Sequence, residues 1–126
     1  MMTRILLLCG LIACSCNTTR QVETKLYFGQ SRLDGGVVSE KEWNEFVAVY
    51  ISRVFPAGST VENANGNWYD TAQQRLITEP SKVVTAINRR SARLDQQIDS
   101  LRYWYRALHK QQSVLRVDRR VKARLF

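Results

Sequence analysis

The residues whose types and spacing could support chemistry fall in one short segment, Glu79-Pro-Ser-Lys82. A carboxylate, a hydroxyl and an amine within four residues could transfer a proton if burial shifted the pKa of the Glu or the Lys. Alternate side chains of a strand point to opposite faces, so Glu79 and Ser81 share a face and Lys82 lies on the other unless a bulge realigns them. We favour a structural role, an ion pair between Glu79 and Arg75 or Arg53.

A second group of candidates lies on the face of the predicted sheet that the helices leave open. Alternation along the first strand sends Lys25 and Tyr27 to this face. Alternation along the last strand, with Leu115 and Val117 taken inward, sends Arg116 there too. Aromatic rings beside a guanidinium suit an anionic or carbohydrate ligand, but packing or dimerisation through this face is the favoured alternative. The candidate ligand or interface residues are Lys25, Tyr27, Trp68, Glu79 and Arg116.

Six predicted elements must position these side chains. A strand with alternating apolar residues covers residues 22–28, and a capping box at Ser39 starts an amphipathic helix. Strand-like sequence follows over residues 60–88, Ser91 caps a second helix, and a last strand begins near Ser113. The order βαββαβ predicts an α+β, ferredoxin-like domain, with two helices on one face of a four-stranded antiparallel sheet.

The middle of the chain offers two positions for a hairpin turn. Asn65-Gly66 is a strong two-residue turn signal, whereas residues 71–74 could form the turn if Gly66 is a bulge within one long strand. We favour the bulge at Gly66, with the turn at 71–74. Pro80 then predicts a kink or a second bulge in the next strand.

The amino terminus has the pattern of an export signal. Arg4 precedes an uncharged apolar run, residues 5–13, which is too short to span a bilayer. The sequence Leu11-Ile-Ala-Cys14 resembles the lipobox of bacterial lipoproteins, in which the cysteine receives a lipid before cleavage. The resemblance predicts a signal peptide over 1–13, a lipidated amino terminus and tether over 14–21, and one domain over 22–126. The alternative is an ordinary secreted protein in which Cys14 and Cys16 are incidental thiols.

The cysteines and the single histidine argue against several kinds of site. With Cys9 removed in the signal and Cys14 bearing lipid, only Cys16 remains, so no internal disulfide is expected. His109 is the sole imidazole and falls in a predicted helix, which makes a zinc site or a Ser-His-Asp triad improbable. We therefore expect no metal and no cofactor.

Basic residues outnumber acidic ones, 19 to 11, and they concentrate in the second half of the chain. Residues 75–126 hold 13 Lys and Arg against four acids. In the cytosol this surplus of basic residues would suggest nucleic acid as the partner. For an exported protein the candidate partners are anionic lipid headgroups, lipopolysaccharide, other envelope polymers or an acidic protein. The alternative is a basic surface that is only solvated. The candidate basic surface comprises Arg102, Arg106, Lys110, Arg119, Arg120, Lys122 and Arg124.

Six short motifs occur in one order along the chain. They are Lys25-Leu-Tyr-Phe-Gly29, Val38-Ser-Glu-Lys-Glu-Trp43, Phe55-Pro-x-Gly58, Gly66-x-Trp68, Glu79-x-Ser-Lys82 and Gln112-Ser-Val-Leu-Arg116. Together they resemble the bacterial secreted family known as domain of unknown function 3574, over residues 24 to about 118. The resemblance implies a small exported α+β domain and no established reaction.

These observations favour a non-enzymatic, lipid-anchored domain of the bacterial cell envelope. We expect it to sit at the outer membrane, facing the periplasm, and to bind an anionic envelope component or a partner protein, or to form a homodimer through the sheet face. The alternative is a small cofactor-independent enzyme whose site on the open face combines Tyr27, Trp68, Glu79 and Arg116.

Overall fold

The fold is seen in a computed structural model, which describes residues 21–125. The predicted signal peptide, the lipidation site Cys14 and almost all of the tether lie outside the described residues, so they stay predictions. The four strands are β1 (Gln21–Gly29), β2 (Thr60–Asp70), β3 (Arg75–Arg89) and β4 (Leu115–Val121). They form one sheet in the order β2-β3-β1-β4, and every neighbouring pair is antiparallel.

Two helical segments cover one face of this sheet. Helix α1 (Glu40–Phe46), a π-helical segment (Val47–Ile51) and α2 (Ser52–Val54) follow one another without a break, and we call residues 40–54 the first helix. Helix α3 (Ala92–His109) is the second. The predicted ferredoxin-like α+β architecture is confirmed. None of the described helices is both long enough and apolar enough to cross a membrane.

The predicted helix starts are also confirmed. The Ser39 hydroxyl accepts the amide of Glu42, and the Glu42 carboxylate accepts the amide of Ser39 at 2.9 Å, so each satisfies an amide that the first turn leaves unpaired. Ser91 caps α3 by accepting the Leu94 amide at 3.1 Å. The π-helical segment was not predicted, because the apolar residues of this region keep ordinary three-four spacing.

The core lies between the helices and one face of the sheet. Along β1, side chains at alternate positions are buried, and Leu26 and Phe28 are fully enclosed. Phe28 packs edge-on against Trp43 of the first helix and Tyr105 of α3, with ring centroids 5.3 and 4.7 Å apart. These contacts place β1 under both helices and fix which of its side chains face outward.

The β2–β3 hairpin turns at residues 71–74, as predicted, but neither predicted bulge is present. Gly66 pairs with Glu79 and Asn65 pairs with Pro80 in one unbroken register. Pro80 is accommodated because its carbonyl accepts the amide of Gln30 at 2.9 Å, while the Gln30 carbonyl accepts the amide of Val38 at 2.8 Å. Proline has no amide hydrogen to donate to the Gln30 carbonyl, but that carbonyl still has a partner because it accepts the amide of Val38.

Candidate functional site

Four of the five candidate residues lie together on the face of the sheet opposite the helices, which we call the open face. Tyr27 of β1 lies directly between Val83 of β3 and Leu115 of β4. Lys25 lies in the neighbouring row, beside Val117. Trp68 and Glu79 occupy the same face further along the β2–β3 hairpin, where they pair with Ile77 and Gly66.

Large apolar side chains are exposed on this face. The exposed fractions are 59% for Leu115, 51% for Trp68, 44% for Val117, 43% for Ile87 and 36% for Tyr27. Cross-strand neighbours in a sheet are about 5 Å apart, so Tyr27, Leu115 and Val117 form one continuous apolar patch. Sequence reasoning identified Tyr27 and Trp68 here but missed Leu115 and Val117.

Arg116 does not belong to the open face, which corrects its predicted placement. It pairs across the sheet with buried Leu26, so its side chain points toward the helices. There its guanidinium lies 2.5 Å from Asp95 of α3 and 3.0 Å from Asp118. The prediction failed because Leu115 and Val117 were taken as inward-facing on their apolar character, whereas an acidic residue of α3 lies where Arg116 points.

The ion pairs of Arg116 also change the pKa of one of its partners, Asp95. The hydrogen bond from Arg116 lowers the pKa of Asp95, although burial opposes this shift. Asp118 in turn accepts a hydrogen bond from the Thr24 hydroxyl at 2.8 Å. This charged network fastens β4 to β1 and α3, and it leaves the predicted open-face site without its guanidinium.

Glu79 has no ion-pair partner among residues 21–125, so the predicted pairing with Arg75 or Arg53 is wrong. Its carboxylate instead lies over the backbone of Gly29. A β-carbon added at Gly29 would meet both Glu79 carboxylate oxygens at 3.0 Å and Gln111 Oε1 at 2.9 Å. Glycine at position 29 is thus what allows these three oxygens to approach the strand.

Gln111 is a member of this cluster that the sequence did not single out. It follows α3, is 9% exposed, and its side-chain amide donates to the Ser31 carbonyl at 2.5 Å. That bond turns the Gln111 carbonyl oxygen toward Gly29 and Glu79. No signal in a single sequence distinguishes this glutamine from its exposed neighbour Gln112.

Ser81 and Lys82 separate as strand alternation predicted. Ser81 lies on the open face between Ala64 and Gly29. Lys82 is 7% exposed on the helix-covered side, where its amine donates to Glu40 at 2.5 Å and to Asn63 at 2.7 Å. The carboxylate, hydroxyl and amine of segment 79–82 therefore do not converge on one site.

His109 and Tyr105 are buried behind the end of β1. The Tyr105 hydroxyl donates to the Gly29 carbonyl at 2.7 Å and accepts from Gln30 at 2.8 Å, and burial raises the pKa of Tyr105. Burial lowers the pKa of His109, which packs against the rings of Phe46 and Tyr105. Within residues 21–125, no three His, Cys, Asp or Glu side chains gather in a way that could hold a metal ion.

The predicted basic surface is divided between α3 and the end of the chain. Three of its members have carboxylate partners: Arg102 pairs with Asp99 at 3.1 Å, Arg119 pairs with Glu23 at 3.2 Å, and Lys110 pairs with Asp34. The other four have no carboxylate within 4 Å in the described part of the chain; they are Arg106, Arg120, Lys122 and Arg124.

Several solved structures share this fold. A phage SAM lyase in complex with S-methyl-5'-thioadenosine is 15% identical with a TM-score of 0.63, covering 79% of this chain and 81% of that one. A phage SAM lyase in the apo state is 16% identical with a TM-score of 0.61, with 79% of each chain covered. CutA from Synechococcus elongatus PCC7942 is 10% identical with a TM-score of 0.52, covering 82% of this chain and 79% of that one. At such identities the likeness concerns the fold alone.

No curated protein sequence matches the chain. A family model does match, over residues 23–125, and it covers all four strands, β1 from its third residue onward, together with both helices. The chain therefore belongs to the family described as protein of unknown function DUF3574.

Proposed function

We propose that this domain is a non-enzymatic interaction module, held at a cell-envelope membrane by a lipid on Cys14, whose open face binds a second copy of the chain. The observation that supports the proposal best is the continuous apolar patch around Tyr27, Leu115 and Val117, in which Leu115 is 59% exposed. Soluble proteins seldom leave a contiguous apolar surface uncovered unless it is an interface. Two open sheet faces can pack at a separation of about 10 Å and interleave their side chains.

The charges of the open face favour a second copy over an anionic ligand. At one end of the face Glu23 pairs with Arg119, and Arg89 lies beside them. Nearer the centre lie one base, Lys25, and two acids, Glu62 and Glu79, none of which has an ion-pair partner in the described residues. A face of mixed sign does not repel its own copy, whereas an anion would meet two carboxylates.

A closed pair related by a two-fold axis would use the same patch on both copies. In such a pair the same patch of each copy contacts the other, so a single substitution changes the interface at two places. This doubling makes charged substitutions on the open face a sensitive probe. Leu115 is the best position, because it is the most exposed of the apolar residues there and belongs to an edge strand.

Sedimentation of a chain that begins at Asn17 tests the self-association. Every strand pairing and the whole described core fall within residues 21–125, and this chain contains no cysteine. We expect dimers that dissociate on dilution, and we expect Leu115→Lys to abolish them. Leu108→Lys, which changes a 48% exposed residue of α3, is the matched control and should dimerise normally. A wild-type chain that remains monomeric at millimolar concentration, or dimers that survive Leu115→Lys, would contradict the proposal.

The membrane anchor requires a separate test. We place the lipid on Cys14 and the domain on the periplasmic side of the outer membrane, because Ser15 after the cysteine resembles the sorting pattern of some bacteria. Firm anchoring takes more than one acyl chain, which lipidation of an amino-terminal cysteine supplies. Cys14→Ala should leave the signal uncleaved and remove mature protein from the membrane fraction, whereas Cys16→Ala should not. Signal cleavage and membrane fractionation that are the same in Cys14→Ala as in Cys16→Ala would overturn the assignment.

A second candidate function is a small-molecule site, or a cofactor-independent enzyme, around Glu79. It is favoured by the carboxylate of Glu79, which has no ion-pair or hydrogen-bond partner in the described residues and faces the Gln111 carbonyl over Gly29. Trp68 lies on the same face, and a phage SAM lyase of similar fold was solved with S-methyl-5'-thioadenosine. A carboxylate of this kind can accept a hydrogen bond or a proton from a bound molecule.

Titration with S-methyl-5'-thioadenosine distinguishes this second candidate. If Glu79 and Trp68 form a site for such a molecule, the indole N–H signal of Trp68 should shift on titration, and Glu79→Gln should weaken the binding. Glu62→Gln changes a neighbouring acid of the same face and serves as the control. The absence of any shift at millimolar concentration would remove this ligand class from consideration.

A further inference from the structure

A groove runs along the helical side of the domain, between the first helix and α3. It is an open groove with a volume of about 470 Å³, and its polar and aromatic walls include Tyr50, Arg53, Arg93, Gln97, Ser100 and Trp104. This volume lies within the range of sites that bind small molecules, about 300–1,000 Å³. The groove lies on the opposite side of the sheet from the open face, so it is independent of the proposed self-association.

The charge of the groove is wholly positive. Arg53 comes from the first helix and Arg93 from the first turn of α3, and no acidic residue lines the groove. Neither arginine has a carboxylate within 4 Å among residues 21–125. Two guanidinium groups beside one concavity favour an oxyanion, to which each can donate paired hydrogen bonds.

The aromatic wall of the groove is held in place by the core. The Tyr50 ring stacks on the ring of buried Phe46, with centroids 4.9 Å apart and planes 24° apart. The centroid of the Tyr50 ring also lies 6.5 Å from that of Trp104, which is 45% exposed. A flat apolar group in the groove would therefore meet rings that are already oriented, which reduces the entropy cost of binding.

The backbone supplies a further, independent observation. The π-helical segment Val47–Ile51 contributes Val49 and Tyr50 to the wall. A π-helical turn is rare, and such turns occur frequently at functional sites. Here the wider turn is part of the wall of the groove, and Arg53 lies two residues after it.

From these features we infer that the groove binds a small organic anion that combines a flat apolar body with a sulfonate, phosphate or carboxylate group. Arg53 and Arg93 would bind the anionic group, while Tyr50 and Trp104 contact the flat body. Gln97 adds a neutral hydrogen-bond donor from α3, whereas the Ser100 hydroxyl donates to the Gln96 carbonyl at 2.9 Å and is left as an acceptor. Binding would be weakened by salt, because the arginines are exposed.

Titration with naphthalene-2-sulfonate, followed by the indole N–H signals of the chain that begins at Asn17, tests this inference. The three tryptophans report on three places: Trp43 in the core, Trp68 on the open face and Trp104 in the groove. We expect a saturable shift of the Trp104 signal alone. The uncharged naphthalene-2-methanol should bind much more weakly, and the cationic 2-naphthylmethylamine should not bind.

Paired variants make the test specific. Arg53→Gln with Arg93→Gln should weaken binding of the sulfonate by about tenfold or more. Arg75→Gln with Arg89→Gln removes two arginines of the sheet instead and should leave the affinity unchanged, as should Leu115→Lys. No Trp104 shift at millimolar probe, equal binding of all three probes, or full binding by the Arg53 and Arg93 variant would overturn the inference. An equal Trp104 shift with inorganic sulfate would contradict the role of the flat body.

Discussion

The two faces of strand β1 differ sharply in burial. Leu26 and Phe28 are completely enclosed under the helices, yet Tyr27 between them is 36% exposed on the open face. The helix-covered face is closed by aromatic packing and by the ion pairs of Arg116 and Lys82. The open face has large apolar side chains but nothing in the described residues to cover them. The contrast teaches that the first face holds the fold together and that the second is available for binding.

The largest difference between the faces should appear when neighbouring aromatic residues of β1 are truncated. Phe28→Ala removes a ring in contact with Trp43, Phe46 and Tyr105, and should lower the free energy of unfolding by about 3–5 kcal/mol. Tyr27→Ala, one residue away, should cost about 1 kcal/mol or less in the monomer. Urea unfolding at low protein concentration measures both. Similar losses would mean that the open face is as much a part of the core as the covered one.

A smaller contrast is expected between two arginines of β4 that point to opposite faces. Arg116, with a side chain 15% exposed, bonds Asp95 and Asp118, and Arg116→Met should cost about 1–3 kcal/mol because Asp118 loses its cation and Asp95 keeps only the longer contact with Arg90, at 3.9 Å. Arg119 is 71% exposed and pairs only with Glu23, so Arg119→Met should change stability by about 0.5 kcal/mol or less. If Arg119 proved the more costly loss, the assignment of the two faces of β4 would be reversed.

The smallest effect is a dependence on pH at the start of the first helix. Hydrogen bonds from the Ser39 amide and then from Arg32 lower the pKa of Glu42 from 4.5 to about 2. A lowered pKa in the folded state means that Glu42 stabilises the fold above its unfolded-state pKa, and that this contribution is lost as the pH falls from about 4.5 to about 2. The stability difference between wild type and Glu42→Gln should therefore shrink over that interval.

Denaturant unfolding at several pH values measures this difference. Glu45→Gln changes an exposed acid of the same helix that makes no hydrogen bond or ion pair in the described residues, and it should show no such trend. If the stability difference between wild type and Glu42→Gln stayed constant between pH 5 and pH 2, the hydrogen bonds to the Glu42 carboxylate would not be lowering its pKa.

Much of the fold followed from sequence, because its signals are local. Alternation along β1 and the capping serines each depend on residues a few positions apart, and both were confirmed. The errors arose where the local structure depends on contacts with residues far away in the sequence. The direction of Arg116 depends on Asp95, which lies 21 positions away, and the straight course of β3 at Pro80 depends on Gln30 and Val38.

The candidate site was predictable only in part for the same reason. Placing Tyr27, Trp68 and Glu79 on one face required only strand alternation. The approach of Gln111 to Gly29, the exposure of Leu115 and the groove beside the π-helical segment depend on tertiary packing, which no spacing rule encodes.

The most direct test of the open face as a binding surface is the alkylation rate of a single introduced cysteine. The chain that begins at Asn17 has none of its own. Val117 on the open face and Val49 on the helical side are almost equally exposed, at 44% and 43%, so Val117→Cys and Val49→Cys form a matched pair. Our account predicts that raising the protein concentration slows alkylation at position 117 and leaves it unchanged at position 49. An alkylation rate at position 117 that does not change with protein concentration would contradict it.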